Sequence, residues 1–351
     1  MKLLIVINTP GMGGAERVAF TLAGWFADQG NCSASVVALQ KAKKASYIID
    51  RTDFIELEGK NHIIELRKYI KGEKPDVLIT MSVPLCIYTV PALVGLGVKH
   101  IISERNSPSH FAGKKLTKWM SRILMMFADG YVFQTEDSRR YYNGRIYSKS
   151  IVIHNPVSNM PRVFHDFGLP DSKTIVSVGR LNSQKNQGLL IRAFANVYKD
   201  YPDYSLVIWG EGRERESLLQ VAKECGVESN VQLPGTATNI FEKIKDASLF
   251  VMSSDYEGMP NALMEAMALS LPCISTDCPC GGPRELIDNG KNGILVPVRD
   301  VEAMSSAIKT IISNNKLANT IGKNASTIRN THSLEIIGQQ WQSVIKRVIE
   351  K

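Results

Sequence analysis

Two carboxylates stand eight positions apart in the stretch Asp255-Tyr256-Glu257-Gly258-Met259-Pro260-Asn261-Ala262-Leu263-Met264-Glu265. Proline is favoured at the first position of a helix. Glu257 is therefore expected in a turn, and Glu265 about five residues into the following helix, roughly 7 to 8 Å along its axis. One elongated ligand fits that spacing. The unpaired N–H groups of a helix start attract phosphate, and the flanking carboxylates can accept hydrogen bonds from sugar hydroxyls at one end and ribose hydroxyls at the other. Paired carboxylates also serve glycosidases, but those need a neutral general acid and an open water site, and nothing in this stretch argues for either. A purely structural acidic helix is the other reading of the motif taken alone.

A second loop, Gly179-Arg180-Leu181-Asn182-Ser183-Gln184-Lys185-Asn186, carries two cations five residues apart. Fixed cations can neutralise a diphosphate leaving group. Its charge grows as the bond breaks, so they stabilise the transition state more than the ground state. Lys185 and Glu257 are both expected in solvent-facing loops. Near the N-terminus, Gly11-Met12-Gly13-Gly14-Ala15-Glu16-Arg17 lets backbone N–H groups approach a phosphate at a helix start. It is not the G-x-G-x-x-G pattern, and a tight turn in any α/β protein reads the same way.

The elements that must position these loops alternate along the chain. Apolar, β-rich runs at 3–7, 34–39, 77–80, 101–103, 130–134 and 151–153 are separated by stretches such as the helix-period segment 15–29. A second alternation follows, with strands expected at 174–178, 205–209, 231–233, 249–252, 272–275 and 293–296. Helices are expected at 187–201, 213–225 and 262–269. Such alternation implies parallel sheets flanked by helices, and 351 residues exceed one ordinary core. The reading is an α/β protein of two Rossmann-like domains facing each other across a cleft, with the proline-rich stretch 155–173 as linker. Domains are expected at 1–160 and 161–330, with a helix at 331–351 packing back on the first.

Charge is unevenly distributed. Residues 1–170 hold 22 Lys and Arg against 14 Asp and Glu, whereas 171–351 hold 20 of each. The basic half suits a nucleic acid, a phosphorylated acceptor or an anionic membrane surface; scattered solvated lysines are the plainer alternative. The six cysteines match no common zinc spacing, Cys278-Pro279-Cys280 included. No metal site and no disulfide is expected. The longest weakly polar stretch, 84–98, falls short of the roughly 20 residues that span a bilayer, and the N-terminal run has no signal-peptide pattern. A cytoplasmic protein is expected.

Taken together, the motifs resemble those of the retaining glycosyltransferases of family 4, of GT-B fold and of the type that builds bacterial surface glycans. The resemblance covers nearly the whole chain. It rests on Gly13-Gly14-Ala15-Glu16-Arg17, Ile153-His154-Asn155-Pro156-Val157, Gly179-Arg180 with Lys185-Asn186, Gly210-Glu211-Gly212, and Glu257 with Glu265. It implies that Arg180 and Lys185 bind the donor diphosphate, Glu257 the transferred sugar and Glu265 the ribose. The backbone around Gly258, Met259, Pro260 and Asn261 would hold the phosphate and the sugar edge, with Gly13 and Gly14 also meeting the diphosphate. Asn155 and Glu211 belong to the substrate-binding set. No D-x-D triplet occurs, which agrees with catalysis without metal or other cofactor. Where many relatives carry a histidine after Ser-Glu, this chain reads Ser103-Glu104-Arg105-Asn106. Arg105 is therefore a candidate contact for the donor or for an anionic acceptor, and His110 a possible stand-in.

The implied reaction is α-transfer of a hexose or N-acetylhexosamine, galactose or N-acetylgalactosamine in first place, from a UDP-sugar to a lipid-linked glycan. N-acetylglucosamine, glucose or GDP-mannose donors are the alternatives. A sugar-nucleotide epimerase, a phosphorylase and a catalytically dead nucleotide-sugar-binding protein are the competing classes; no nucleic acid partner is implied. Residues 111–127, FAGKKLTKWMSRILMMF, place Lys114, Lys115, Lys118 and Arg122 against Trp119, Met120, Ile123, Leu124, Met126 and Phe127. That pattern suits an interfacial helix on anionic lipid at the inner face of the cell membrane, and equally a helix packed on a core.

Overall fold

The computed structural model describes residues 1–11, 13–41, 53–110, 115–157 and 172–350. Met12, residues 111–114 of the basic stretch and most of the linker stretch 155–173 lie outside the described residues. The chain divides into two compact units, Met1–Ser158 with His332–Lys351, and Asn159–Thr331.

In the first unit the strands are β1 (Lys2–Ile7), β2 (Ser33–Ala38), β3 (Asp53–Glu56), β4 (Val77–Thr80), β5 (Lys99–Ser103), β6 (Gly130–Phe133) and β7 (Ser150–Val152). They form one parallel sheet in the order β3-β2-β1-β4-β5-β6-β7, with Ile5 opposite Val36 on one side and Ile79 on the other. The helices are α1 (Gly14–Asp28), α2 (His62–Glu73), α3 (Cys86–Leu93), α4 (Lys115–Met125), α5 (Glu136–Arg140) and α6 (Gly144–Ser148). Because side chains alternate along a strand, Ile5, Ile79 and Ile101 pack on one face with Phe20 and Phe26 of α1. Leu4, Val6 and Leu78 pack on the other with Leu66 and Ile70 of α2. A sheet buried on both faces needs continuous apolar strands, which is why Leu3-Leu4-Ile5-Val6-Ile7 has no polar alternation.

The second unit repeats the plan. Strands β8 (Thr174–Val178), β9 (Ser205–Trp209), β10 (Val231–Gly235), β11 (Leu249–Met252), β12 (Cys273–Thr276) and β13 (Ile294–Val296) lie parallel in the order β10-β9-β8-β11-β12-β13. Around them run α7 (Gln187–Tyr198), α8 (Arg215–Glu224), α9 (Ile240–Ile244), α10 (Asn261–Ala268), α11 (Gly282–Leu286), α12 (Val301–Ile312), α13 (Asn315–Ala325) and α14 (Ile328–Thr331). Leu190 and Phe194 of α7 and Ile308 and Ile311 of α12 close the core over Leu206, Leu249 and Ile274.

The last helix, α15 (Leu334–Ile349), belongs to the first unit, where Ile337, Trp341, Val344 and Ile345 enter the α1 side of the core. Gly338 makes the approach possible, since a Cβ there would sit 2.4 Å from the Trp25 ring. Trp25 Nε1 donates to Glu335 Oε2 at 2.8 Å.

Both sheets are Rossmann-like. Strand order reverses between β1 and β4 and again between β8 and β11, and ligands of such sheets bind outside the carboxyl ends at these switch points.

Candidate active site

In the second unit the loops that leave β8 and β11 flank the switch point, and a set of hydrogen bonds ties them together. Asp255 N donates to Gln184 O at 2.8 Å, Gln184 Nε2 to Tyr256 O at 3.0 Å, Ser253 Oγ to Lys185 O at 3.0 Å and Asn186 Nδ2 to Asp255 Oδ1 at 2.9 Å. Arg299 grips the other oxygen of Asp255 at 2.7 and 3.0 Å. This lattice brings Lys185 onto Glu257, its Nζ donating to Oε1 at 2.5 Å. Ser254 Oγ donates to the same oxygen at 2.6 Å.

The expectation of solvent-facing loops for this pair is corrected. Glu257 is buried, and the side chains of Lys185 and Glu257 are only 17% and 9% exposed. The physical reason is strand order: neighbouring β8 and β11 throw both loops to one place, and each covers the other. An ammonium has three donors and an ionised carboxylate two acceptor oxygens. Among the described residues, Lys185 Nζ gives one bond and Glu257 Oε2 receives none, so both retain capacity for a ligand.

The start of α10 is built against a third loop. Glu257 N donates to Pro279 O at 2.7 Å and Cys280 N to Glu257 O at 2.9 Å. Gly282 lies so near that a Cβ on it would fall 1.7 Å from Gly258 O. Gly258, Met259 and Pro260 are buried, and Asn261 is half-buried. Pro260 is the N-cap, with extended backbone and no side-chain cap, one position before the first helical residue, Asn261. Glu265 is the fifth residue of α10 and is 5% exposed. Arg180 differs: it is exposed, and among the described residues its guanidinium has no hydrogen-bond partner, while its carbonyl takes Gln187 Nε2 at 3.0 Å. Glu211, after β9, is exposed; its carboxylate takes Arg215 Nη1 at 3.0 Å and its carbonyl takes Leu181 N at 2.9 Å.

In the first unit Gly13 caps α1, accepting Arg17 N at 3.1 Å. Gly14 is the first residue of that helix, and the two glycines follow β1 at the carboxyl end of the sheet. Arg105 turns its guanidinium toward protein. Nη1 donates to Asn155 Oδ1 at 2.8 Å, and the group stacks over Trp341 with 5.4 Å from Cζ to the ring centroid. Burial lowers its pKa to about 9, against the opposing charge of Glu104. Asn155 Oδ1 also accepts Gln134 Nε2 at 2.7 Å. Glu104 Oε1 accepts the N–H groups of Arg105 and Asn106 at 3.0 and 3.2 Å. Burial nevertheless pushes its carboxyl up to about 7. His110 is exposed, with Nδ1 3.0 Å from Ser109 Oγ. Gln134 and Trp341 carry no recognisable motif, and sequence reading does not single them out. Ser254 lies just before the carboxylate stretch, one position before Asp255, and its hydroxyl is of the type that bonds a nearby carboxylate.

Among the described residues, no group of three or more His, Cys, Asp or Glu is arranged to hold a metal ion. All six cysteines are free thiols.

The chain is similar to several known proteins. Residues 161–327 match the family described as glycosyl transferases group 1. A Haemophilus influenzae protein described as an uncharacterized glycosyltransferase is 26% identical over 351 residues, 97% of this chain and 98% of its own. The Campylobacter jejuni N-acetylgalactosamine-N,N'-diacetylbacillosaminyl-diphospho-undecaprenol 4-alpha-N-acetylgalactosaminyltransferase is 29% identical over 352 residues, 93% of this chain and 94% of its own. The crystal structure of Anabaena HepE in complex with UDP aligns with a TM-score of 0.84 at 19% identity, over 99% of this chain and 100% of that one. The fold is GT-B, two Rossmann-like domains with parallel sheets. The protein is a glycosyltransferase.

Proposed function

We propose that the protein is a retaining family 4 enzyme that transfers galactose or N-acetylgalactosamine from a UDP-sugar to a lipid-linked glycan, forming an α-glycosidic bond. The observation that carries the donor reading is the Lys185–Glu257 pair beside the start of α10, with spare hydrogen-bonding capacity on both partners. Arg180 and Lys185 take the diphosphate and neutralise the charge that develops on it as the glycosidic bond breaks. Glu257 Oε2 accepts a hydroxyl of the transferred sugar, Glu265 serves the ribose, and the backbone from Gly258 to Asn261 holds the phosphate and sugar edge. Glu211 braces the Arg180 loop through Leu181. On the first unit, Gly13 and Gly14 at the start of α1 meet the diphosphate, while Arg105 and Asn155 serve the substrate through the loop that they brace. No metal takes part in this reading, because the two cations and the helix start carry the neutralising charge.

The choice of sugar and of acceptor is supported by the Campylobacter relative, whose name gives an N-acetylgalactosaminyl transfer to a diphospho-undecaprenol glycan. Peripheral attachment to the inner membrane face is supported by α4. Only Ser121 and Met125 of that helix are buried, and Leu116, Trp119, Ile123, Met126 and Phe127 are exposed beside Lys115, Lys118 and Arg122. Among the described residues no helix is long and apolar enough to cross a membrane. The experiment that tests the reading is transfer of radiolabelled sugar from each UDP-sugar to undecaprenyl-linked glycan. Label appearing in lipid from UDP-Gal or UDP-GalNAc supports it; label only from a GDP- or ADP-sugar overturns it.

A further inference from the structure

Four buried polar atoms on β5, the loop after it and α15 have no hydrogen-bond partner among the described residues: Ser103 Oγ, Arg105 Nε, Arg105 Nη2 and Trp341 Nε1. The guanidinium lies over the Trp341 ring, 5.4 Å from its centroid. Ser103 follows Ile101 by two positions in β5, so the two side chains share a sheet face, and Ile101 packs in the same apolar cluster as Trp341. Buried polar groups in folded proteins are paired with protein, water or ligand. These four ask for one kind of partner, since three are N–H donors and the fourth is a hydroxyl.

Asn155 Oδ1 already takes Arg105 Nη1 and Gln134 Nε2. Glu104 Oε1 takes two backbone N–H groups and its Oε2 receives none among the described residues, but Glu104 directly follows Ser103 and its side chain leaves the opposite face of the sheet, where its charge acts on Cys86 and Tyr142. Arg105 has no ion-pair partner among the described residues.

We propose that Ser103, Arg105 and Trp341 form a buried receptor for a small inorganic anion of the size and charge of chloride. A water placed there would bring two protons, of which Ser103 Oγ can accept one, while Asn155 Oδ1, already taking two donors, is closed to the other. An anion brings none and balances the guanidinium. Burial of the neighbouring Glu104, which raises its carboxyl to about 7, leaves that carboxylate only a partial counter-charge near neutrality. The bound anion would fasten the loop after β5 to α15, holding together the two chain segments that make up the first unit. This inference does not rest on the identity of the donor or the acceptor.

Crystals of the full chain soaked in bromide test it directly. An anomalous peak within hydrogen-bond reach of Arg105 Nε and Trp341 Nε1 is expected; an ordered water there without anomalous signal overturns the proposal. In solution, melting is compared in chloride and gluconate at equal ionic strength. Chloride at ten times its dissociation constant shifts the folding equilibrium by about eleven-fold, a rise of about 3–6 °C for a unit of this size. Trp341→Phe keeps the ring and loses one donor, so its chloride increment should shrink, and Arg105→Gln should lose the increment altogether. Equal melting of the wild-type chain in both salts overturns the proposal even if either variant fails to fold.

Discussion

Replacing Glu257 by alanine separates the two tasks of that side chain. In the native chain its Oε1 receives Lys185 Nζ at 2.5 Å and Ser254 Oγ at 2.6 Å, in surroundings that leave the lysine 17% exposed. Removing one partner of a fully buried ion pair costs about 3–5 kcal/mol. The residual access of water to Lys185 brings the expectation to about 2–4 kcal/mol, or roughly 4–16 °C in melting temperature for a domain of this size. Glu257→Gln should keep most of the stability, because its amide oxygen can still accept from Lys185 and Ser254. It loses the charge, and with it the stronger acceptor for a sugar hydroxyl. Both variants should lose about 100-fold or more in kcat/KM, the order seen when a single group that stabilises transition-state charge is removed. Lys185→Ala closes a double-mutant cycle by calorimetry and initial rates; its melting loss and that of Glu257→Ala should be strongly non-additive. Glu257→Ala melting with the wild type, or additive losses in the double variant, would refute the reasoning that the pair is a shielded unit.

Gly282→Ala should push the Gly258 loop, because its Cβ would fall 1.7 Å from a backbone oxygen that has no flexible end to swing away. A loss of about 1–3 kcal/mol in urea unfolding and weaker UDP binding by calorimetry are expected. Glu104 gives a pH test. Its folded pKa, about 7, lies above the ordinary 4.5, so the folded state binds the proton more tightly and stability from this group falls as pH rises through that window. Glu104→Gln should therefore gain on the wild type by roughly 2–3 kcal/mol between pH 4.5 and pH 8, read from urea unfolding; a constant difference across that range contradicts it. Reversing Lys115, Lys118 and Arg122 to glutamate should release the protein from phosphatidylglycerol vesicles in flotation, each basic residue contributing about 1 kcal/mol at an anionic surface. Unchanged flotation would contradict the membrane role of α4.

Nearly every strand was visible in the sequence, the edge strands β7, β10 and β13 to within two residues, whereas β3 and the pairings were obscure. Strands 77–80, 174–178, 205–209 and 249–252 coincide with β4, β8, β9 and β11 end to end. Ser177 and Ser205 apart, all four are runs of apolar, β-branched or aromatic residues on strands inside a sheet, where burial demands such residues. β3, Asp53–Glu56, escapes that reading because it is a short edge strand, half-buried to exposed and acidic at both ends. In the candidate site the residue types were legible but not their partners. Lys185 and Glu257 are 72 positions apart, and only the adjacency of β8 and β11 joins them. Trp341 was hidden for a related reason: in sequence it is one apolar position of an amphipathic helix, and its place under Arg105 is set by the packing of α15 on the first sheet.

The central claim, that the Lys185–Glu257 site turns over a nucleotide-sugar, is tested most directly by nucleotide release. Purified wild-type protein and Glu257→Gln are incubated with UDP-Gal, UDP-GalNAc, UDP-Glc, UDP-GlcNAc, GDP-Man and ADP-Glc, with EDTA and bacterial lipid extract. Lipid-dependent, EDTA-resistant release of UDP from UDP-Gal or UDP-GalNAc by the wild type is expected, reduced about 100-fold or more in the variant. Equal release by wild type and variant, or no release by the wild type from any donor, would contradict it.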